Sequence, residues 1–168
     1  MENKINIVPI PNELKAKAGF FKLDSETVVE NKTGVADGLG EFMKGFCGIK
    51  SGKRSKSIKL ELTGKNTCEE AYSLKISGDA VIINAAAPAG IFYGVQTLKQ
   101  IIAGAAKKKA VSVDLPCLEI NDKPRFEWRG FMLDSSRHFQ SVAFIKKLID
   151  ALALCKINRL HWHFIDNH

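Results

Sequence analysis

The chain has 168 residues, 45% of them apolar, 26% charged and 8% aromatic, with a formal net charge of +7. That is the make-up of a globular protein with one real core, without an apolar stretch near the ~20 residues of a membrane helix, and too short for two complete domains if one is a barrel of about 250 residues. The basicity names no partner: the patches Lys50–Lys56 and Lys107–Lys109 lie between apolar runs with no aromatics interleaved to stack on bases, so they read as solvated loops and nucleic acid is not expected.

The opening stretch Met1–Lys15 lacks the apolar run of about 7–15 residues of a secretory signal, so a cytoplasmic location is the expectation for the sequence as given. Ile5–Val8 before Pro9 and Pro11 reads as a short strand stopped by prolines. Between Gly34 and Gly48, Val35, Leu39, Phe42, Met43 and Phe46 approach helical spacing and predict a helix. Ser57–Leu62 alternates polar and apolar as a half-buried strand does. Ala71–Ile76 and Ala80–Ile83 form a hairpin with its turn at Gly78-Asp79. Pro88 opens a helix whose apolar face is Ile91, Val95, Leu98 and Ile102 and which Gly104 closes. Leu115–Ile120 is a further extended segment. Cys47, Cys68, Cys117 and Cys155 are dispersed and include no C-x-x-C pair, which favours four reduced thiols over a disulfide framework or a zinc knuckle.

The pattern changes at the polar turn Asn121–Pro124, where a domain boundary is expected: residues 1–122 as an α+β domain, a mainly antiparallel sheet with two helices on one face, and 123–168 as a second domain. In the second, Trp128–Asp134 is a strand, Ser135–Gln140 a polar loop, and Ser141 the cap of a helix bearing Ile145, Leu148, Ile149 and Leu152. Leu160–Ile165 is the next strand. Strand, helix and strand make a βαβ unit with parallel strands. One such unit cannot cover a parallel sheet, so the chain is expected to be the front part of a longer protein.

Candidate functional residues cluster at the end of this unit. His161 and His163, two apart on a strand, share a face, and with Asp166 nearby they could hold a divalent metal; filling a barrel interior with hydrogen-bonded imidazoles is the competing reading. Arg137 and His138 follow the first strand and Asp166 the second, at the end of the sheet where α/β barrels hold their active sites. A salt bridge or cap for Arg137, and a turn role for Asp166, stand beside that functional reading. Arg129 and Asp134 fall on the strand as internal polar residues. Trp128 and Trp162 could stack a sugar ring or fill core.

The stretches Pro124–Phe139 and Lys156–Asp166 resemble the family 20 glycoside hydrolases, the β-N-acetylhexosaminidases, and Glu70–Ile76 and Gly90–Gln100 resemble the hallmark of that family's N-terminal domain. The resemblance implies an N-terminal α+β domain followed by the first strand, first helix and second strand of a (β/α)8 TIM barrel. It implies removal of terminal non-reducing N-acetylglucosamine or N-acetylgalactosamine from glycans with retention, the substrate's own acetamide attacking the anomeric carbon, an exception to the two-carboxylate scheme. It further implies that Arg137 grips the 3- and 4-hydroxyls of the terminal sugar and that Asp166 supports the acid–base machinery from behind. The Asp-Glu pair of that machinery belongs to a later barrel strand and is absent here, so the 168 residues alone are expected to be inactive. The family places no metal at the H-W-H residues and needs no cofactor, and its members are often periplasmic or secreted. Members commonly carry Asp-Asp-Gln where this chain has Asp166-Asn167-His168, and Asn167 and His168 receive no role. Two rivals remain: a metal-dependent barrel hydrolase using His161 and His163, and a non-catalytic sugar-binding or interaction module. Sugar preference, linkage and oligomeric state are left open.

Overall fold

The structure, a computed structural model, describes residues 5–35, 38–47, 56–64, 68–106 and 112–166, apart from the side chains of Phe46 and Cys47. The chain divides into two compact units, Met1–Pro124 and Arg125–His168. The lysine patches, but for Lys56, and Asn167 and His168 lie outside the described residues.

The first unit runs β1 (Glu13–Leu23), β2 (Thr27–Asn31), α1 (Leu39–Cys47), β3 (Lys56–Leu62), β4 (Tyr72–Ile76), β5 (Ala80–Ala85), α2 (Pro88–Ala105) and β6 (Val113–Asp122). The strands form one sheet in the order β1-β6-β4-β5-β3-β2. The three pairings from β1 to β5 are antiparallel, as expected, whereas β5/β3 and β3/β2 are parallel. The sheet is therefore mixed, because β2–α1–β3 is a crossover whose strands must run the same way.

Alternation builds the core. Tyr72, Leu74 and Ile76 on β4, Val81, Ile83 and Ala85 on β5, and Ile58 and Leu60 on β3 share one buried face. Across it lies α2 with Ile91, Val95, Leu98 and Ile102 buried, and Leu39 and Met43 of α1 join the same cluster. The α2 face is the one its spacing predicts, and Pro88 sits in the first turn. Gly90 and Gly94 let this helix approach the sheet closely. A Cβ on Gly90 would collide with the Ala71 carbonyl and stand 2.7 Å from Ala85 Cβ, and one on Gly94 would lie 2.5 Å from Ile83 Cγ2. None of the described helices is long and apolar enough to cross a membrane. Among the described residues Cys68, Cys117 and Cys155 form no disulfide.

Three local expectations change. Ile5–Val8 is not a strand: the Gln100 carboxamide donates to the Val8 carbonyl and accepts from its N–H, both at 2.8 Å, taking the place of a ladder partner. The first helix starts at Leu39 rather than Gly34, because Gly34 and Gly38 adopt φ of +70° and +59°. β1 and β2 were not foreseen. Only Phe21 and Leu23 of β1 are buried, and a bulge between Ala16 and Phe20, with Gly19 at φ +101°, interrupts what alternation it has.

The second unit is β7 (Gly130–Asp134), α3 (Val142–Leu154) and β8 (Arg159–His163), with β7 and β8 parallel as expected of the first piece of a barrel. Ser141 Oγ accepts from Phe144 N–H at 3.2 Å, so it caps α3 as predicted. Arg129 precedes β7 instead of lying on it. Its Nε donates to the Lys156 carbonyl and its Nη1 to that of Phe126, each at 2.7 Å, tying the strand starts together. Trp128 is not core either: it is exposed, with the Arg159 guanidinium 5.2 Å above its ring.

Candidate functional site

The site grows from the register of two strands. Asp134, the last residue of β7, is the cross-strand partner of His163, the last of β8. Just beyond, Ser135 N–H donates to the His163 carbonyl at 2.9 Å, and Trp162 Nε1 donates to Ser135 Oγ at 2.8 Å. The loop leaving β7 is thus pinned to β8 before it turns.

Asp134 makes the turn itself. Its Oδ1 accepts from Ser136 N–H at 3.0 Å, from Ser136 Oγ at 2.8 Å and from Arg137 N–H at 3.2 Å. A short carboxylate bonded to the backbone two and three residues on is a local turn former. The turn carries the Arg137 side chain back over the strand ends. Nε of Arg137 stands 3.7 Å from Asp134 Oδ2, and Nη2 stands 3.5 Å from Asp166 Oδ2. Arg137 and Asp166, singled out separately in the sequence, therefore form an ion pair.

The guanidinium remains largely open to solvent, with 61% of its side chain exposed against 32% for Asp134 and 37% for Asp166. The Ser136 hydroxyl is the main reason that Asp134 is held below the ordinary carboxylate pKa; the Arg137 and Ser136 amides and the His163 charge act the same way against a partial desolvation. The arrangement is an accessible planar donor fork between two carboxylates. It suits a neutral ligand with neighbouring hydroxyls, since hydroxyls accept from the fork and donate to the flanking oxygens.

His138 is exposed on the same loop. His161 and His163 share a face of β8 opposite Met132 and Asp134 of β7. Among the described residues no group of three His, Cys, Asp or Glu side chains is placed to hold a metal ion. Trp162 is half-buried and stacks on Phe164 with ring centroids 4.3 Å apart, so its ring is engaged within the protein. Asp134 ends the strand on which it was expected, but sequence reasoning missed its part in the site. Its signal was the D-S-S-R tetrad, an Asx-turn pattern immediately after a strand.

Comparison with known proteins follows the same division of the chain. Residues 4–123 match the model described as glycosyl hydrolase family 20, domain 2, and residues 126–168 match that of the family's catalytic domain. A beta-hexosaminidase of Porphyromonas gingivalis is 34% identical over 178 aligned residues, spanning 97% of this chain and 23% of that protein. N,N'-diacetylchitobiase of Vibrio harveyi is 37% identical over 110 residues, spanning 66% of this chain and 12% of its own. Among solved structures, a family 20 exo-beta-N-acetylglucosaminidase from Vibrio harveyi, bound to N-acetylglucosamine, superposes with a TM-score of 0.84 at 30% identity, covering 94% of this chain and 25% of that one. The chain thus spans about a quarter or less of the length of these relatives. With a domain-2 match over most of its length, a catalytic-domain match over residues 126–168, and relatives and solved structures that agree, the chain belongs to glycosyl hydrolase family 20.

Proposed function

We propose that the protein carrying this chain is a retaining β-N-acetylhexosaminidase that removes terminal N-acetylglucosamine or N-acetylgalactosamine from glycans, and that Arg137 and Asp166 belong to its sugar-binding site. The observation that carries the reading is the exposed Arg137 fork, paired with Asp166 at the C-terminal end of two parallel strands. That end of the sheet is where α/β barrels bind their substrates. In the reaction, the substrate's acetamido oxygen attacks the anomeric carbon as the leaving oxygen takes a proton, and water later opens the oxazoline-type intermediate. Arg137 donates to two adjacent ring hydroxyls, a geometry that an ammonium cannot copy. Asp166 supplies a fixed negative charge to the acid–base machinery and steadies Arg137. The 168 residues contain no Asp-Glu dipeptide, so this chain by itself has no general acid and nothing to orient the acetamide.

The test is steady-state kinetics across pH, beside thermal melts, for variants of the longer protein. Arg137→Lys is expected to lower kcat/KM by about 1–3 kcal/mol, the scale of a charged hydrogen bond. Asp166→Asn is expected to lower kcat and displace the pH–rate profile, with a smaller rise in KM through Arg137. Loss of activity only in proportion to loss of folded protein would make both residues structural and end the proposal. The isolated 168-residue chain should leave p-nitrophenyl N-acetyl-β-glucosaminide intact; turnover that survives a control for host enzymes would show the site complete without further barrel strands.

A further inference from the structure

We infer that Asp134 is a positioning residue for substrate recognition: its carboxylate sets where the Arg137 fork points, so recognition of the sugar hydroxyls depends on a residue that does not touch the sugar. The inference rests on the reading of Arg137 as the hydroxyl ligand.

The geometry divides the labour between the two carboxylate oxygens. Oδ1 is spent on the turn, with three donors from Ser136 and Arg137. Oδ2 is left to face Arg137 Nε at 3.7 Å. On the other side of the guanidinium, Asp166 Oδ2 faces Nη2 at 3.5 Å. The fork is therefore held between two carboxylates, one at Nε and one at Nη2. An arginine free in solvent would sample many rotamers and lose that freedom on binding; one already held loses less. Asp134 is in turn fixed, because it ends β7 and its neighbour Ser135 is bonded to β8 through His163 and Trp162. The chain of contacts runs from the parallel register, through Asp134, to the guanidinium. The Ser136 hydroxyl and the turn amides hold the Asp134 pKa below the ordinary carboxylate value, which favours the charged form that faces Arg137.

Asp134→Asn isolates the charge, since an Asn carbonyl still accepts the three turn hydrogen bonds. The experiment uses the longer protein and two substrates, p-nitrophenyl N-acetyl-β-glucosaminide and its 4-deoxy counterpart. For the parent substrate, Asp134→Asn should reduce kcat/KM about tenfold, mostly through KM. For the 4-deoxy substrate the loss should be less than about twofold, because the two-hydroxyl grip that Asp134 organises is already broken. Arg137→Lys should show the same dependence on the hydroxyl, and the double variant should be no worse than Arg137→Lys alone. Equal losses on both substrates, no loss on either, or independent effects in the double variant would overturn the positioning role while leaving Arg137 as ligand. If Arg137→Lys itself ignores the 4-hydroxyl, the underlying reading falls and this inference with it. Should Asp134→Asn not fold, Ser136→Ala replaces it: it keeps the charge but frees Oδ1 from the hydroxyl. A hydroxyl-dependent loss of smaller size is then expected, and a hydroxyl-independent effect or none at all overturns the role.

Discussion

Tyr72 shows how much of the first unit hangs on single atoms. Its hydroxyl lies 2.7 Å from Thr97 Oγ1 on α2 and donates to Asp122 Oδ2 on β6 at 3.0 Å, and Asp122 Oδ1 accepts from Asn12 N–H at 3.1 Å. Burial first, and then the Asp122 charge, push the phenol pKa far above its ordinary value. A pKa raised on folding contributes stability that is complete below the unfolded tyrosine value of about 10 and is lost as pH rises beyond it. Tyr72→Phe should therefore cost about 1–3 kcal/mol at neutral pH, with the gap to wild type narrowing above pH ~10. Urea unfolding between pH 7 and pH 11 measures this, and a gap that stays constant would refute the assignment. The glycines of α2 make a second case. Gly90→Ala should destabilise more than Gly94→Ala, because its Cβ meets the Ala71 backbone while that of Gly94 meets the Ile83 side chain. Gly104→Ala, with open space around it, should stabilise by up to about 1 kcal/mol. Melting temperatures of the three variants decide the order. The Gly90–Gln100 stretch was legible as a motif, but its reason, a helix lying close on β4 and β5, is visible only once the sheet exists. Arg137 and Asp166 were likewise found by motif and by position after a strand. Their ion pair was not, because it depends on the register between strands distant in sequence.

Elements were readable where they bury one face strictly and hidden where they do not. β3, β4, β5 and α2 were found because Ile58, Leu60, Leu74, Ile76, Val81 and Ile83 alternate, and because Ile91, Val95, Leu98 and Ile102 keep helical spacing. β1 escaped because its first eight residues are exposed at the sheet edge, where lysines replace an apolar alternation. Ile5–Val8 misled in the opposite sense: Ile7 is buried, yet the backbone is satisfied by the Gln100 side chain instead of a neighbouring strand. The α3 start was legible from chemistry alone, since Ser141 followed by an apolar run leaves four N–H groups needing acceptors. Ser141→Ala should cost about 1 kcal/mol, read as faster hydrogen exchange at the Val142–Ile145 amides with little change in the first unit.

The whole molecule is unequal in its two units. The large buried cluster belongs to the first, whereas Ile145 is the one large apolar residue of the second that is buried among the described residues. Phe139, Phe164 and Ile165 of the second unit are each more than half exposed. Burial of apolar area is what stabilises a unit against chain entropy. Hydrogen exchange of the 168-residue chain should show β4, β5 and β6 strongly protected, and β7, α3 and β8 exchanging well before them. Uniform protection across both units would contradict this. The strand order carries one more consequence, for biosynthesis. β6, the last strand of the first unit, lies between β1, its first, and β4, with Glu13 opposite Asn121 and Tyr72 opposite Asp122. A ribosome that has released everything up to α2 has released β4, β5, β3 and β2 as neighbours, but β4 lacks its partner on one side and β1 has none. The first unit should thus acquire protease resistance in one late step, when Asp122 clears the exit tunnel, and not gradually as strands emerge. Stalled nascent chains of increasing length, digested briefly, would display that step, and they would place the start of the family's catalytic sequence still inside the ribosome when it happens.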